Sequence, residues 1–348
     1  MTPATKNALV TGGAGYFGDL LVRRLCASGY KVRIFDINKP DDTCPGVEVI
    51  EGDIRDAHAI TAACEGIELV FHNVAQVPLA KDKALFWSVN RDGTRNILEA
   101  CIARNARKVI YTSSSAIYGV PKSNPVAEET EPAPRENYGR AKLAGEKLCW
   151  EYSRRGLDVS IIRPRTILGH GRLGIFQILF EWIYRGKDIP VLDGGRNYYQ
   201  FVHADDLAEA CILAGNLKGT QAFNCGAASF GTMREALENL CRHAATGARV
   251  KSWPMWLTVP AMNISSALGL SPLGAYHSLM YGRSMYFDIS KAKRELGWTP
   301  KYSNDAMLIE SYSWYLQHRT QVLERSAQGS RHKSAVELRL LKLLEKVL

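Results

Sequence analysis

The residues best suited to do chemistry in this chain are a tyrosine and a lysine four positions apart. Tyr138 and Lys142 lie in "NYGRAKLAGEKLCWEYSRR", a stretch without proline and rich in helix-forming residues. A helix over this stretch stacks the two side chains one turn apart. Free tyrosine has a pKa of about 10, and a neighbouring ammonium favours the phenolate. The pair therefore predicts a tyrosine that exchanges a proton near neutral pH.

The same spacing occurs a second time, at Tyr118 and Lys122. At this composition chance alone produces about one such pair per chain, so the spacing by itself identifies no site. Gly119 and Pro121 fall between Tyr118 and Lys122, and proline disfavours a helix at the residue before it. We therefore assign the chemistry to Tyr138 and Lys142.

A glycine cluster near the start of the chain predicts a phosphate-binding turn. Gly13, Gly15 and Gly18 form G-x-G-x-x-G between a β-rich run and an amphipathic helix, and Gly12 extends the cluster. Glycines permit the tight turn and the close approach of a pyrophosphate to the start of the helix. We predict a dinucleotide site that includes Gly12, Gly15, Gly18 and the intervening residues Tyr16 and Phe17.

An acidic residue follows the glycine cluster at the distance that a dinucleotide site requires. Asp36 ends the strand-like "KVRIFDIN", 18 residues after Gly18. A carboxylate there accepts hydrogen bonds from the adenosine ribose and repels a 2′-phosphate. The sequence therefore favours NAD over NADP as the cofactor.

The elements that must position these residues alternate between strand and helix. Strand-like runs such as "VEVIEGDIRD", "ELVFHNVAQV" and "RKVIYTSSSAIYG" alternate with helical ones. This order is typical of an α/β fold with a doubly wound parallel sheet, in which ligands bind at the carboxyl ends of the strands. Asp53 and Ile54 end the third strand, and Val74 and Ala75 follow the fourth, so we assign these four residues to the cofactor side.

Further along, we expect the sheet to regain strands at "IPVLDGG" and "TQAFNCG", with the helix "VHADDLAEACILAG" between them. Asp205 and Asp206 are expected to cap that helix. The predicted division is a Rossmann domain over 1–165 and about 201–225, with a smaller, mostly helical substrate lobe over about 166–200 and 226–320.

With these motifs in order, the chain resembles the extended short-chain dehydrogenase/reductase family, also called the NAD-dependent epimerase/dehydratase family. "TGGAGYFG", "GDIRD", "YTSSSAIYG", "YGRAK", "IIRP", "FVHADDLA" and "FDISKAKRELGWTP" carry the resemblance, over residues 7–318. It implies a catalytic set of Ser114, Tyr138 and Lys142. It also implies that Lys142 holds the nicotinamide ribose, and we add Arg163 of "IIRP" to the cofactor site.

Departures from the family pattern limit the reaction. Members that resemble sugar dehydratases carry Asp-Glu after the catalytic hydroxyl, because eliminating water needs a further acid and base. Here these positions are Ser115 and Ala116. Dehydration and decarboxylation are therefore not expected. Hydride transfer at a secondary carbinol and epimerisation both stay open.

Other departures concern the substrate. Thr166 stands where many nucleotide-sugar members have a diphosphate-binding Asn, and Tyr199 where they have a phosphate-pairing Arg. "GRSMYFD", which contains Arg283, replaces an R-x-G-D segment. We assign Ser115, Thr166, Tyr199 and Arg283 to the substrate site. Phosphate could still be held from elsewhere, by Arg165, Arg172, Arg196 or Arg283.

Two segments could contact a membrane surface or a second subunit. Residues 252–282 contain no Asp, Glu, Lys or Arg and resemble the insertion of the 3β-hydroxysteroid dehydrogenase-like branch. Residues 325–348 predict a basic amphipathic helix, most regular over 334–348. A peripheral membrane contact through either segment and a homodimer are the alternatives.

Composition excludes several classes of protein. The chain is 46% hydrophobic and 23% charged, typical of a globular protein, and its net charge of +9 comes without a nucleic-acid-binding motif. The eight cysteines are scattered, without metal-binding spacing. We therefore expect reduced thiols, no metal, no nucleic acid and a cytoplasmic location without a signal peptide.

The sequence as a whole predicts an NAD-dependent oxidoreductase that acts on a hydroxyl or ketone of a bulky, partly apolar, sterol- or lipid-like substrate. The alternative is a nucleotide-sugar epimerase, similar to UDP-sugar 4-epimerases, that uses tightly bound NAD. A redox-inert binding protein is a third class.

Overall fold

Seven parallel strands form the central sheet of this protein, seen in a computed structural model that describes residues 6–76, 83–256, 258–260 and 282–327. The strand order is β10-β6-β5-β4-β1-β2-β3. The strands within the described residues are β1 (Asn7–Thr11), β2 (Lys31–Asp36), β3 (Glu48–Glu51), β4 (Leu69–His72), β5 (Lys108–Thr112), β6 (Asp158–Pro164), β7 (Thr166–Leu168), β8 (Ile189–Leu192), β9 (Phe201–His203), β10 (Gln221–Cys225) and β11 (Val250–Trp253). The predicted doubly wound sheet is confirmed.

Helices cover both faces of the sheet, as expected for parallel strands that read as continuous apolar runs. The α-helices are α1 (Tyr16–Ala27), α2 (Ala57–Ala63), α3 (Lys83–Trp87), α4 (Thr94–Ala103), α5 (Asn137–Arg154), α6 (Ile175–Tyr184), α7 (Ala204–Asn216), α8 (Met233–Ala244), α9 (Ser290–Leu296) and α10 (Asn304–Ala327). A π-helical turn, Ser88–Gly93, joins α3 to α4. Helices α1 and α7 cover one face of the sheet, and α2, α4 and α5 cover the other.

Two apolar clusters fill the two faces of the sheet, and a third lies beside it. Helices α6, α8 and α10 pack around Phe180, Leu237 and Tyr315, all buried. Two short parallel pairs accompany this cluster, β8 with β11 and β7 with β9. The prediction that "IPVLDGG" returns to the main sheet was therefore wrong, because β8 pairs with β11 instead. Strand β10, from "TQAFNCG", does join the main sheet, beside β6.

The cap of α7 also differs from the prediction. The imidazole of His203 accepts the N–H of Asp205 at 3.1 Å, so His203 rather than an aspartate is the cap. Asp206 instead accepts the backbone N–H groups of Lys301 and Tyr302 at 3.0 and 3.2 Å. It thereby fixes the segment that leads into α10.

Both candidate membrane segments lie mostly beyond what the structure covers. Residues 334–348 are outside the described residues. Of the segment 252–282, the structure describes only residues 252–256, 258–260 and 282. Within the described part of the chain, no helix is both long and apolar enough to cross a bilayer.

Candidate active site

The catalytic set predicted from the sequence lies where β5 meets α5. Lys142 donates from Nζ to the carbonyl oxygen of Thr112, the last residue of β5, at 2.7 Å. A Cβ on Gly139 would stand 2.5 Å from the carbonyl oxygen of Ala116, so only glycine lets α5 start this close to the turn after β5. Ser114, Tyr138 and Lys142 are thereby brought to one junction at the carboxyl end of the sheet.

Glu136 fixes the start of α5 and therefore the position of Tyr138. Its carboxylate accepts the backbone N–H groups of Tyr138 and Gly139, at 2.7 and 2.6 Å. This is an N-terminal cap, which satisfies two donors that a helix leaves unpaired. The phenol of Tyr138 lies half-buried, two residues into the helix.

Lys142 is almost fully buried, with an exposed fraction of 2%. Burial lowers the pKa of its ammonium to about 8, against the smaller opposing effects of Cys149 and Glu146. The Nζ atom also lies 4.9 Å from the ring centroid of Tyr111. A lysine in this setting is charged at pH 7 and close to losing its proton.

Three consecutive serines follow β5, and the structure separates their roles. The hydroxyl of Ser113 donates to Glu146 at 2.5 Å, and that of Ser115 accepts from Arg165 at 3.0 Å; both serines are buried. Ser114 is half-buried, and its Oγ accepts the N–H of Ala116 at 3.1 Å. Ser113 uses its hydroxyl proton on Glu146, whereas Ser114 and Ser115 only accept in these contacts, and Ser114 is the less buried of the two. The assignment of Ser114 stays a prediction.

The glycine turn fits a dinucleotide. A Cβ on Gly18 would overlap the carbonyl oxygen of Gly12, and Gly12 itself has a positive φ of 74°. Gly15 is exposed and caps α1 without any side chain, so the first N–H groups of the helix can face a phosphate. The side chain of Phe17 packs in the core, which leaves only its backbone for the cofactor.

Asp36 lies beside this turn at the end of β2. Its carboxylate accepts the N–H of Ala14 and the N–H of Asn38, each at 3.0 Å. The two oxygens retain lone pairs for ribose hydroxyls, since a carboxylate offers about four acceptor positions. The residues present therefore fit NAD at its ribose and pyrophosphate.

The remaining predicted cofactor residues line the same edge of the sheet with different exposure. Asp53 forms an ion pair with Arg55, whose side chain lowers the pKa of the carboxyl group. Ile54 is buried. Val74 and Ala75 follow β4 and are half-buried. The backbone of Val74 lies so close to Gly12 that a Cβ added to Gly12 would be 3.0 Å from the Val74 nitrogen.

Arg163 has a different environment from the one we expected. Its Nε and Nη2 donate to the carboxylate of Glu146 at 3.0 and 2.7 Å, and its Nη1 donates to the hydroxyl of Tyr118 and the carbonyl of Glu128. The side chain is 5% exposed. All of its nitrogens are used inside the protein, so the structure offers no support for a cofactor contact by this guanidinium.

The alternative pair, Tyr118 and Lys122, is not a site in this structure. Tyr118 is buried, and its hydroxyl bonds to Arg163 and Asn224 while Lys122 is exposed. Burial raises the pKa of Tyr118 to about 12.

Among the predicted substrate residues, Thr166 and Tyr199 contact each other. Their hydroxyls lie 2.7 Å apart, and both residues are half-buried. Arg283 is exposed. Ser115 turns toward Arg165, which lies between the rings of Tyr199 and Phe287.

Sequence reasoning placed Tyr16 in the cofactor site and named Arg172 as a possible phosphate partner, but it did not predict that the two residues contact each other. The guanidinium of Arg172 lies 5.2 Å from the ring centroid of Tyr16. The Arg172 Nε and the Tyr16 hydroxyl are both buried without a hydrogen-bond partner among the described residues. Burial lowers the pKa of Arg172, and the phenols of Tyr16 and Tyr138 oppose that change. A cation there could meet the pyrophosphate.

One cluster has the composition of a metal site. His170, His203 and Glu310 place potential ligand atoms within 4.8 Å of one another. His203 already uses both ring nitrogens, Nδ1 with the N–H of Asp205 and Nε2 with Glu310 at 2.6 Å. We interpret the cluster as a hydrogen-bond network.

Comparison with known proteins gives relatives of several kinds. The chain is 60% identical to "Uncharacterized protein y4nG" of Sinorhizobium fredii, over 97% of this chain and 85% of that protein. It is 29% identical to a 3 beta-hydroxysteroid dehydrogenase/Delta 5-->4-isomerase of Mycobacterium tuberculosis, over 91% of this chain and 92% of the relative.

Solved structures share the fold. A UDP-glucose 4-epimerase of Thermotoga maritima, crystallised with UDP-glucose, superposes with a TM-score of 0.77 at 25% identity, covering 90% of this chain and 99% of that one. The sequence profile of the NAD dependent epimerase/dehydratase family matches residues 8–226. The glycine turn, Asp36 and the junction of β5 with α5 lie within those residues, and this chain is an NAD-dependent enzyme that belongs to that family.

Proposed function

We propose that this enzyme transfers hydride between NAD and a secondary alcohol or ketone of a bulky, partly apolar substrate. The observation that carries the proposal is the contact between Thr166 and Tyr199. These residues occupy positions where the resemblance implies phosphate anchors, yet both are neutral and their hydroxyls satisfy each other at 2.7 Å. An Arg is the preferred partner of phosphate, so its replacement by Tyr removes affinity for a diphosphate.

The relative from Mycobacterium tuberculosis, named a 3 beta-hydroxysteroid dehydrogenase, supports a sterol-like alcohol as the substrate class. The segment 252–282, which has no charged residue, is consistent with an apolar substrate. We keep the division into a Rossmann domain and a substrate lobe as part of the proposal, with the substrate between the two.

In the proposed reaction Tyr138 is the acid and base. Its Oη takes the proton of the carbinol when the alcohol is oxidised, and returns it when the ketone is reduced. Bound NAD supplies the acceptor or donor of the hydride. The ammonium of Lys142 stabilises the phenolate of Tyr138 and donates to ribose hydroxyls, and the Ser114 hydroxyl donates to the substrate oxygen.

Epimerisation of a nucleotide sugar remains a second candidate. It is favoured by the fold shared with the UDP-glucose 4-epimerase of Thermotoga maritima. In that reaction Tyr138 would accept and return the same proton, with no net change of the cofactor.

Production of NADH separates the two candidates. We expect the purified enzyme to form NADH steadily with excess NAD⁺ and a 3-hydroxysteroid, and to leave UDP-glucose unchanged. Y138F should lower kcat by at least about 100-fold, because acid–base groups contribute that much. Y198F is a matched control, since Tyr198 is an exposed tyrosine of the same protein.

Conversion of UDP-glucose to UDP-galactose without NADH release would contradict the proposal and support the epimerase. Equal activity of Y138F and the wild type with every substrate would contradict both. A homodimer and a peripheral membrane contact stay predictions, which analytical ultracentrifugation and vesicle sedimentation of the full chain would test.

A further inference from the structure

Arg165 is a buried cation without an anionic partner among the described residues. It follows β6 directly, and only 1% of its surface is exposed. Its Nη1 donates to Ser115 Oγ at 3.0 Å and lies 3.2 Å from the sulfur of Met285. Its Nε and Nη2 are buried and have no hydrogen-bond partner in the described part of the chain.

These two nitrogens form one edge of the guanidinium, the edge that binds a carboxylate side-on with two parallel hydrogen bonds. Other arginines of this protein show the arrangement. Arg163 uses Nε and Nη2 on Glu146 at 3.0 and 2.7 Å, and Arg319 uses the same atoms on Glu181 at 2.9 and 2.8 Å. Arg165 presents the same edge, and no carboxylate of the described residues lies against it.

The protein gives Arg165 only partial compensation for its burial. The rings of Tyr199 and Phe287 lie 4.9 and 5.7 Å from its guanidinium carbon, and cation–π contact of this kind offsets part of the lost hydration. It leaves two N–H donors unsatisfied, and buried donors are normally paired. A cation kept in this state is better explained by a ligand than by folding, because buried charges persist in proteins when they are paired or used.

The position of Arg165 relates this edge to the catalytic junction. Ser115, which accepts from Arg165, is the neighbour of Ser114 in the turn after β5. The ring of Tyr199, whose hydroxyl bonds to Thr166, packs on the guanidinium. An anion bound at this edge would therefore stand beside the substrate residues that the sequence predicts.

We propose that the Nε–Nη2 edge of Arg165 binds a carboxylate of the substrate, so that the enzyme acts on a bulky hydroxy acid. This inference rests on the proposed function, whose substrate class it narrows. A planar carboxylate matches the two parallel donors, and a single charge suits one arginine within an apolar surround. Neither nitrogen contacts solvent, so binding requires the side chains around the edge to shift.

The test compares an acid with its own ester. The probes are a 3-hydroxysteroid with a carboxylate next to the hydroxyl, the methyl ester of that acid, and the phosphate monoester of a matching diol. Binding to the NAD⁺-loaded full chain is measured by calorimetry, and oxidation by NADH formation. We expect the wild type to bind and oxidise the acid about 100-fold better than the ester, as a buried charge-assisted pair implies.

R165M should abolish this preference, and R165K should retain only part of it, because lysine cannot present two parallel donors. R242M, which removes an exposed arginine of α8, is the matched control and should keep the preference. R165M should also unfold at the same temperature as the wild type or higher, since replacing an unpaired buried charge by an apolar side chain is often neutral or stabilising.

Equal binding of acid and ester by the wild type overturns the proposal without any variant. A stronger response to the phosphate ester, or a preference that survives R165M, also overturns it. A large loss of thermal stability in R165M combined with unchanged preference assigns Arg165 to folding. If no probe is oxidised but the acid still binds the wild type and not R165M, the carboxylate site stands and the proposed oxidation fails.

Discussion

Lys142 is the buried residue on which the proposed proton transfer by Tyr138 depends. Among the described residues its Nζ hydrogen-bonds to the carbonyl of Thr112 at 2.7 Å, and burial lowers the pKa of the ammonium from 10.5 to about 8. The charge is therefore costly to the folded protein at neutral pH. It persists where a ligand can use two further donors, since an ammonium has three.

The pKa of Lys142 predicts the alkaline limit of activity. Below pH 8 the ammonium is present and can stabilise the Tyr138 phenolate; above pH 8 the free enzyme loses that charge. We expect kcat/KM for NAD⁺, which reports ionisations of the free enzyme, to decline above about pH 8. The measurement is initial NADH formation at varied NAD⁺ between pH 6 and 10. A rate constant that still rises at pH 10 would show that the charge is not needed.

Asp36 predicts the choice of cofactor. Its carboxylate, fixed by the N–H groups of Ala14 and Asn38, would repel a 2′-phosphate. D36N keeps an acceptor of the same size and removes the charge, so the ratio of kcat/KM for NAD⁺ over NADP⁺ should fall by at least about tenfold. D42N removes an exposed carboxylate of the following loop and serves as the control. An unchanged ratio in D36N would remove Asp36 from cofactor selection.

At the residue scale, the sequence places a side chain well where its position has one local cause. Asp36 lies at a strand end, and Tyr138 and Lys142 are one helical turn apart. The sequence did not predict the environment of Arg163, whose partner Glu146 lies 17 positions away in the chain. Ser113 and Ser115 could be told from Ser114 only by the resemblance, because their partners come from α5 and from the residue after β6.

At the scale of elements, helix α5 carries both Lys142 and the carboxylate that attaches the helix to the sheet, Glu146. Glu146 lies one turn beyond Lys142, is 2% exposed, and receives Arg163 from β6 and the hydroxyl of Ser113. The neighbouring Glu146 carboxylate raises the pKa of Arg163 despite its burial. The ion pair thus ties α5 to β6, and the hydrogen bond from Ser113 ties it to the turn after β5.

Breaking this pair should destabilise the fold. E146Q leaves the Arg163 cation buried and unpaired, which typically costs about 3–5 kcal/mol. E151Q, on the exposed side of the same helix, should change the free energy of unfolding by less than about 0.5 kcal/mol. Urea unfolding measures both. The double variant E146Q/R163M should lose less than the sum of the single losses, because the two residues act together.

The same variants test the earlier assignment of Arg163. If R163M unfolded like the wild type but no longer bound NADH, as followed by fluorescence, the cofactor contact predicted from the sequence would be right and the structural role wrong.

Elements were predictable from periodicity, and their partners were not. The strands of the main sheet follow from apolar runs between helical segments. The run "IPVL" has the same appearance, yet β8 pairs with β11, 61 positions apart at Ile189 and Val250. Which edge a short strand joins depends on the tertiary packing of the third core cluster, and no local signal encodes it. In the same way, the carboxylate of Asp206 is held by the backbone N–H groups of Lys301 and Tyr302, which are distant in the chain, and His203 caps α7 instead.

At the scale of the whole molecule, the proposed substrate site is assembled from segments that are far apart in the chain. Arg165, Thr166 and Tyr199 lie where the chain passes from β6 to β7 and returns toward β9. The fold class and the glycine turn were accessible from the sequence, and the catalytic set could be proposed from it, because the strands and helices of the sheet are local units. The proposed substrate surface draws on residues from 115 to 287, so only the folded chain shows that Arg165 has no carboxylate partner among the described residues.

The centre of the sheet makes the stability of the whole molecule sensitive to acid. His72 ends β4, is 1% exposed, and bonds to the hydroxyls of Thr11 and Thr94 at 2.8 and 3.0 Å. Burial lowers its pKa from 6.5 to about 3, with a smaller effect from Lys142. The unfolded chain therefore binds a proton between pH 6.5 and 3 that the folded protein does not, and stability falls as the pH falls through this range.

Between pH 7 and pH 5 this difference should lower the free energy of unfolding by about 2 kcal/mol. Urea unfolding at several pH values measures the slope in the wild type, in H72Q, and in H58Q, which changes an exposed histidine. H72Q should have a lower stability at pH 7, because the fit to both threonines is lost, but a flatter dependence on pH. H58Q should keep the slope of the wild type. If the free energy of unfolding changed with pH by the same slope in all three proteins, groups other than His72 would control the acid response. His72 would then accept a proton in the folded protein.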